Sequence, residues 1–297
     1  TVRIASTHIT DPHTSRAAAE TLARQLQAPD LRGVLVLSDG LGVNGSELIR
    51  GFNAILPPEV IVTGGLAGDG TRFQHTWVIE ERQPRSGVIT AAGLYGSSVR
   101  LTHGSQGGWD LFGPERLVTR AEGNVLFELN HKPALALYKE YLGDLARELP
   151  GAALRFPLSI RQSLQDQKRL VRTILAVDET AQSMTFAGDV PQGAYAQFMR
   201  ANSDRLIQGA ADAARVAATP CSDATPTLSI AISCVGRRLV LGQRTEEEVE
   251  AVFDGLPSGA KQIGFYSYGE ISPYATGTCD LHNQTMTLTT ISEAENG

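Results

Sequence analysis

Two acids stand at the ends of glycine-rich, strand-like runs: Asp69 in G-G-L-A-G-D-G and Glu270 in G-F-Y-S-Y-G-E-I-S-P (Gly264–Pro273). A carboxylate placed there can hold a ligand amine or hydroxyl, with glycine letting the backbone come close. It can equally be a turn acid that accepts local backbone N–H groups, and both readings stay open for each residue. Tyr268, beside Glu270, adds an aromatic face suited to an organic cation or an amino acid. Cys234 ends a buried-strand pattern and reads first as a packing thiol. Arg237, three residues on, could favour the thiolate if the two side chains converged. It could also recognise a carboxylate, or pair with Glu270 as a structural ion bridge.

C-D-L-H places Cys279 and His282 like half of a metal site. A closed zinc site needs about four ligands, and no second pair supplies the others. His282 alone could act as the axial ligand of a haem or hydrogen-bond within a packed strand, and Asn283 beside it joins the candidate ligand contacts. Catalytic machinery is sparse. Ser38, Ser233 and Ser267 lack the G-x-S-x-G elbow, and no Cys–His–Asn pattern is visible. Glu270 and His282 could form an acid–base pair, but without a nucleophile. The phosphate-loop pattern ending in Lys-Ser/Thr is absent.

The surrounding sequence divides into helices and strands. Asp11–Leu26 starts with capping residues and continues in good helix formers. G-V-L-V-L-S-D-G (Gly33–Gly40) is a buried strand and turn. Leu48, Ile49, Phe52, Ile55 and Leu56 share one helical face, and Pro57-Pro58 stops that helix. V-I-V-T-G-G-L-A-G-D-G is a second strand, and T-W-V-I-E and G-V-I-T-A-A-G-L-Y-G read as strands of the same sheet. Pro133–Leu149 reads as one long amphipathic helix carrying Leu135, Tyr138, Leu142, Leu145 and Leu149. Further on, Leu228–Arg237 is a strand. Thr245 and Glu248 form a capping box for the next helix, and two more strands follow. Strand, helix, strand with glycine and an acid, then strand therefore occurs twice, with Asp69 and Glu270 in matching places. The expected fold is α/β: two related halves (1–130 and 131–297) with mixed β-sheets covered by helices, or a layered sandwich.

The chain of 297 residues has 26 Lys+Arg against 32 Asp+Glu, a formal charge of −6 that disfavours broad nucleic-acid binding. Its basic residues are scattered, with Q-D-Q-K-R-L-V-R (Gln165–Arg172) the densest group, a turn running into a strand. Three cysteines make no disulfide framework and suit a reducing, cytoplasmic compartment. No apolar run reaches the roughly 20 residues of a membrane span, and the N-terminus has no signal-peptide pattern. The start at Thr1 reads as a trimmed N-terminus.

The stretches H-K-P-A-L-A-L-Y-K-E-Y-L-G, R-F-P-L, A-G-D-V-P-Q-G, I-S-C-V-G-R, G-F-Y-S-Y-G-E-I and L-H-N-Q-T-M-T-L, in that order, resemble the C-terminal region of the FIST domain. V-L-V-L-S-D-G, V-T-G-G-L-A-G-D-G and G-S-Q-G-G-W resemble its N-terminal region. Where many relatives have a Cys-Thr-containing turn, this chain has Gly65-Leu66-Ala67. The FIST domain is a bacterial sensory module of signal transduction, also found in some eukaryotic F-box proteins. The resemblance implies an intracellular sensor of a small molecule, an amino acid or similar metabolite, signalling through a partner protein such as a kinase or cyclic-dinucleotide enzyme. One branch implies instead a haem-bound nitric-oxide sensor. The expected ligand contacts are Asp69, Arg237, Tyr268, Glu270, His282 and Asn283, with an enzyme using Glu270 and His282 as a further alternative.

Overall fold

A computed structural model describes residues 1–149, 151–218, 226–274 and 278–294. A first unit runs β1 (Val2–His8), α1 (Ser15–Leu26), β2 (Leu31–Ser38), α2 (Gly45–Ile55), β3 (Ile61–Ala67), β4 (Val78–Glu80), β5 (Gln83–Arg85) and β6 (Val88–Tyr95). A second opens with β7 (Val99–Gln106). It is then interrupted by β8 (Asp110–Glu122), β9 (Val125–Leu129), β10 (Lys132–Pro133), α3 (Ala134–Leu142), β11 (Leu158–Arg161), β12 (Leu170–Arg172), β13 (Ile174–Asp178), β14 (Ser183–Phe186) and β15 (Tyr195–Arg200). It resumes with α4 (Ser203–Ala218), β16 (Thr227–Cys234), α5 (Val235–Leu241), α6 (Thr245–Asp254), β17 (Lys261–Pro273), β18 (Cys279–His282) and β19 (Met286–Glu293).

The larger sheet has the order β1-β6-β2-β3-β17-β16-β19-β7, with β18 added to β17. Read outward from its centre, each side repeats one plan: β3-β2-β6-β1 and β17-β16-β19-β7. In each, the inner two strands are parallel and the rest antiparallel. The motif echo in the sequence is thus an echo of strand order about the β3–β17 junction, where the strands run antiparallel.

This sheet is folded double. Thr63 Oγ1 and Thr289 Oγ1 lie 2.5 Å apart, although two strands separate β3 from β19, a distance of about 14 Å in a flat sheet. The fold line is β17, whose first seven residues pair with β16 and whose later ones pair with β3, with a register shift between Ser267 and Gly269. A bulge is how a strand bends from one sheet into another. Helices α1 and α2 cover the outside of one half, burying Leu22, Leu26, Leu48 and Phe52 against Val34 and Val36. Helices α4 and α6 cover the other, with Ala210, Ala213 and Val252 on Met286 and Leu288. Alanine and glycine set that close approach. A Cβ on Gly104 of β7 would lie 2.0 Å from Ala213 O of α4. Gly104→Ala is expected to cost about 3 kcal/mol in urea unfolding. A loss under about 1 kcal/mol would mean that α4 can slide outward freely.

The second sheet, β12-β11-β15-β8-β9-β14-β13 with β10 on β9, packs on α3. Leu135, Tyr138 and Leu142 are buried there with Val118, Leu126, Met184 and Phe198. Each sheet takes strands from both sides of residue 130, because β7 joins the larger sheet beside β19 and β8 and β9 join the smaller one.

Several local expectations are corrected. The helix from Pro133 ends at Leu142, because Gly143 adopts φ +57 and a 3-10 turn, Gly143–Glu148, follows. Leu145 and Leu149 still pack on the same core. T-W-V-I-E contributes only β4, which pairs with β5 in a separate hairpin. The strand from Leu228 stops at Cys234, and Val235 starts α5. Thr245 is itself helical and donates to Gly242 O, while the Glu248 carboxylate turns inward to Arg237, so no capping box forms. No described helix is long and apolar enough to cross a membrane.

Candidate functional site

The C-terminal ends of β2, β3 and β16 converge where β17 bends. Ser38 is level with Leu66, Cys234 with Ser267, and Ala67 with Ser267 again. Loops at converging strand ends form crevices in α/β sheets, and the two aromatic and acidic residues foreseen there do meet. Tyr268 donates its hydroxyl to Asp69 Oδ1. Asp69 also accepts the backbone N–H groups of Phe73 at 2.9 Å, Gln74 at 3.0 Å and His75 at 3.1 Å. The Tyr268 hydroxyl foremost, with those N–H groups, holds its carboxyl well below the usual range against the pull of burial. Phe73, in the left-handed region at φ +50, stacks on Tyr268 with ring centroids 4.5 Å apart. Asp69 and Tyr268 thus clamp the 70–77 strap. Asp69 faces an open groove of about 690 Å³, whereas Tyr268 faces a cavity of about 390 Å³ between the two sheets.

Glu270 is placed differently from expectation. The strand does not end at Gly269 but continues to Pro273, and Gly269 is needed because a Cβ there would sit 2.9 Å from a Leu281 methyl. Glu270 is wholly buried and receives Ser267 Oγ at 2.5 Å, Thr285 Oγ1 at 2.9 Å and Thr285 N at 3.2 Å. Burial pushes its carboxyl up to about 8 despite these donors. His282 is its cross-strand neighbour. His282 Nε2 bonds Ser272 O at 2.9 Å, its ring stacks on Tyr274, and burial lowers it to about 4. The Asn283 side chain donates to His282 O within the buried turn. With its ring packed and Nε2 engaged, His282 offers no face against which a porphyrin fits. Glu270 and His282 line none of the cavities described here.

Arg237 is likewise internal. Its partner is Glu248, at 2.6 Å, and not Glu270. Cys234 is not activated: burial, with the charge of Glu270, drives its thiol upward. Cys234 and Cys279 are free and buried, and Cys221 lies outside the described residues. Among the described residues no group of three or more His, Cys, Asp or Glu is placed to hold a metal.

A site that the sequence reading passed over lies between α2, the β11–β12 segment and β18, in a cavity of about 380 Å³. At its wall Arg172 is only 5% exposed. Three carbonyls fix its guanidinium: Nε donates to Asp189 O at 2.9 Å, and Nη1 to Val171 O and Leu281 O, both at 3.1 Å. Nη2 has no hydrogen-bond partner among the described residues, and no carboxylate comes within ion-pair distance of the guanidinium. Burial lowers Arg172 to about 10, with Asp189 and Asp280 countering from further away; it is charged at neutral pH.

Three acids share the cavity. Asp189 pairs with Arg50 at 2.9 Å, and Asp166 accepts Ser163 N at 2.9 Å. Asp280 Oδ2 faces the Lys168 ammonium at 2.5 Å but has no aligned hydrogen bond. Chemically this is a guanidinium edge in a cavity that Arg50, Arg161 and Lys168 also line, with Asp189 and Asp280 already paired to Arg50 and Lys168. It can meet an anion at Arg172 and a cation at Asp166, the one of the three acids in no ion pair among the described residues. The signal in the sequence was Gln165–Arg172, the densest basic group, together with C-D-L-H. What joins them is the crossing of β12 and β18, which no local pattern encodes.

Family models match two consecutive stretches: the FIST N domain over residues 1–132 and the FIST C domain over residues 134–273. FIST domains are sensory domains of signal transduction. No curated protein matches the chain. Among solved structures, the crystal structure of cyanuric acid hydrolase from A. caulinodans aligns over 99% of this chain and 68% of its own length. The identity is 10% and the TM-score 0.26, and likeness at that level carries no argument.

Proposed function

The chain belongs to the FIST family, and from that premise we propose that it senses a zwitterionic small molecule, an amino acid or close relative, in the Arg172 cavity. The observation that carries this reading is the buried guanidinium with an unused Nη2 edge, in a cavity that also holds carboxylates. A ligand carboxylate would take the Nη2 edge, supplying the counter-charge a desolvated cation lacks. The ligand ammonium would face Asp166, whose carboxylate is in no ion pair among the described residues. Ile49, Ile160 and Leu170 leave apolar wall for a side chain.

Signalling follows from where the walls come from. Helix α2 belongs to the first unit, β12 to the second sheet and β18 to the larger sheet, so a bound ligand ties three elements together. Only differential affinity for two arrangements of those walls can move an equilibrium. The altered surface would be read by a partner protein, such as a kinase or a cyclic-dinucleotide enzyme.

Calorimetric titration with the common amino acids, and with their analogues lacking the amine or the carboxylate, tests the reading. At least one amino acid should bind, and both analogue types should lose most of its affinity. Asp166→Asn and Arg172→Lys should each weaken binding about 10- to 100-fold, the equivalent of one charge-assisted hydrogen bond of about 1.5–3 kcal/mol. Folding of both variants is checked by circular dichroism. Binding that survives unchanged in both folded variants would place the ligand elsewhere.

A further inference from the structure

Most of the charge lining the Arg172 cavity is already matched. Arg50 pairs with Asp189 at 2.9 Å and Lys168 with Asp280 at 2.5 Å, while Arg161 pairs with Glu115. Two charged lining residues are in no ion pair among the described residues, Arg172 and Asp166. They are of opposite sign, and the carboxylate and ammonium of an amino acid occupy both. No unmatched charge of either sign then remains for its side chain. The uncharged polar residues are also engaged. Asn53 donates to Cys279 O at 2.8 Å and accepts Cys279 N at 3.2 Å, and Ser46 Oγ accepts Asp189 N at 3.4 Å; Gln162 is exposed. The remaining wall is apolar, led by Ile49, Ile160 and Leu170, the first two only 4% and 5% exposed.

Resting on the reading of this cavity as an amino-acid site, we infer that it selects amino acids with an uncharged, apolar side chain and rejects acidic and basic ones. An acidic side chain must draw Arg50, Arg161 or Lys168 from a carboxylate that already holds it, leaving that carboxylate unmatched. A basic one must do the same to Asp189 or Asp280. Unpaired charge set against the wrong ligand is how a site discriminates. An apolar side chain needs no such exchange, and each methylene it buries raises affinity about fourfold. Leu170 is the wall residue at which this selectivity can be changed. It is half-buried on β12, the terminal strand of the second sheet, and edge strands carry charged side chains readily.

Leucine, asparagine and aspartate share one branched outline and differ in polarity and charge, so calorimetry with these three and lysine on the full chain reads the side-chain wall. Leucine should bind about tenfold more tightly than asparagine and about 100-fold more tightly than aspartate or lysine. Leu170→Arg, with its folding checked by circular dichroism, should weaken leucine and strengthen aspartate about tenfold each. The inference is overturned if aspartate, lysine or asparagine binds the parent protein as tightly as leucine. Where that binding is still lost in Arg172→Lys, the amino-acid reading stands without it. Folded Leu170→Arg protein that keeps the parental order overturns it too. If no common amino acid binds, the amino-acid reading itself fails and the inference falls with it.

Discussion

Replacing Glu248 with alanine will destabilise the fold by about 3–5 kcal/mol, the cost typical of leaving a buried charge without its partner. Both side chains of the Arg237–Glu248 pair are 0% exposed. Arg237 Nε reaches Glu248 Oε1 at 2.7 Å, and Ser233 Oγ donates to Oε2 at 3.0 Å. The remaining donors of the guanidinium go to Gly107 O, Gln284 O and Leu206 O. One side chain therefore ties α5 to the β7–β8 loop, the β18–β19 turn and α4. Without Glu248 the guanidinium stays charged among carbonyls, because no described carboxylate replaces it. Urea unfolding at neutral pH measures the loss. Removing both charges at once, as Arg237→Met with Glu248→Leu, should recover most of it, because the desolvation cost then disappears with the pair. If Glu248→Ala loses less than about 1 kcal/mol, water reaches the guanidinium and the pair is not desolvated.

The second large effect is on pH. Glu270 has its folded pKa raised to about 8 from 4.5, so its contribution is complete below pH 4.5 and is lost as pH rises toward 8. His282 works the other way. Its folded pKa is lowered from 6.5 to about 4, so its contribution is complete above pH 6.5 and is lost as pH falls toward 4. Between pH 4.5 and 6.5 the two slopes oppose each other. Above pH 6.5 Glu270 acts alone, at about 1.4 kcal/mol per pH unit, and stability should fall by about 2 kcal/mol by pH 8. Glu270→Gln, a neutral mimic of the protonated acid, should flatten that fall. A wild-type profile already flat between pH 6.5 and 8 would show Glu270 ionised in the folded protein.

Much of the framework was legible because it follows from local patterns. The face of Leu48, Ile49 and Phe52 predicted α2, and Asn44 caps it by accepting Glu47 N. The repeated strand, helix and acid pattern suggested two related halves, and the larger sheet carries that echo as a repeated strand order on either side of β3 and β17. What misled was glycine. Before Glu270 it suggests a turn, yet Gly269 lies within a continuing strand and makes room for Leu281. The same ambiguity hid the difference between the two acids. Asp69 lies in a loop and clamps the strap, whereas Glu270 lies inside the sheet. Arg172 was visible only as one basic residue among several. Its meaning depends on Leu281 and Asp189 presenting carbonyls to it across the chain, and spacing within a sequence cannot show which carbonyl will face which guanidinium.

The interruption of the second unit has a consequence for biosynthesis. Strand β7 leaves the ribosome early, but β19, its strand partner in the sheet, follows only after the whole inserted sheet and α4, β16 and β17 have been made. At about 5–20 residues per second the wait is on the order of ten seconds or more. Throughout it β7 is an unpaired edge, the kind of surface that recruits other chains. The first unit pairs β1, β6, β2 and β3 among its own residues, but its β3 edge likewise waits for β17. The nascent protein should therefore need protection over both Ile61–Ala67 and Val99–Gln106, and a chaperone footprint during translation should cover the two.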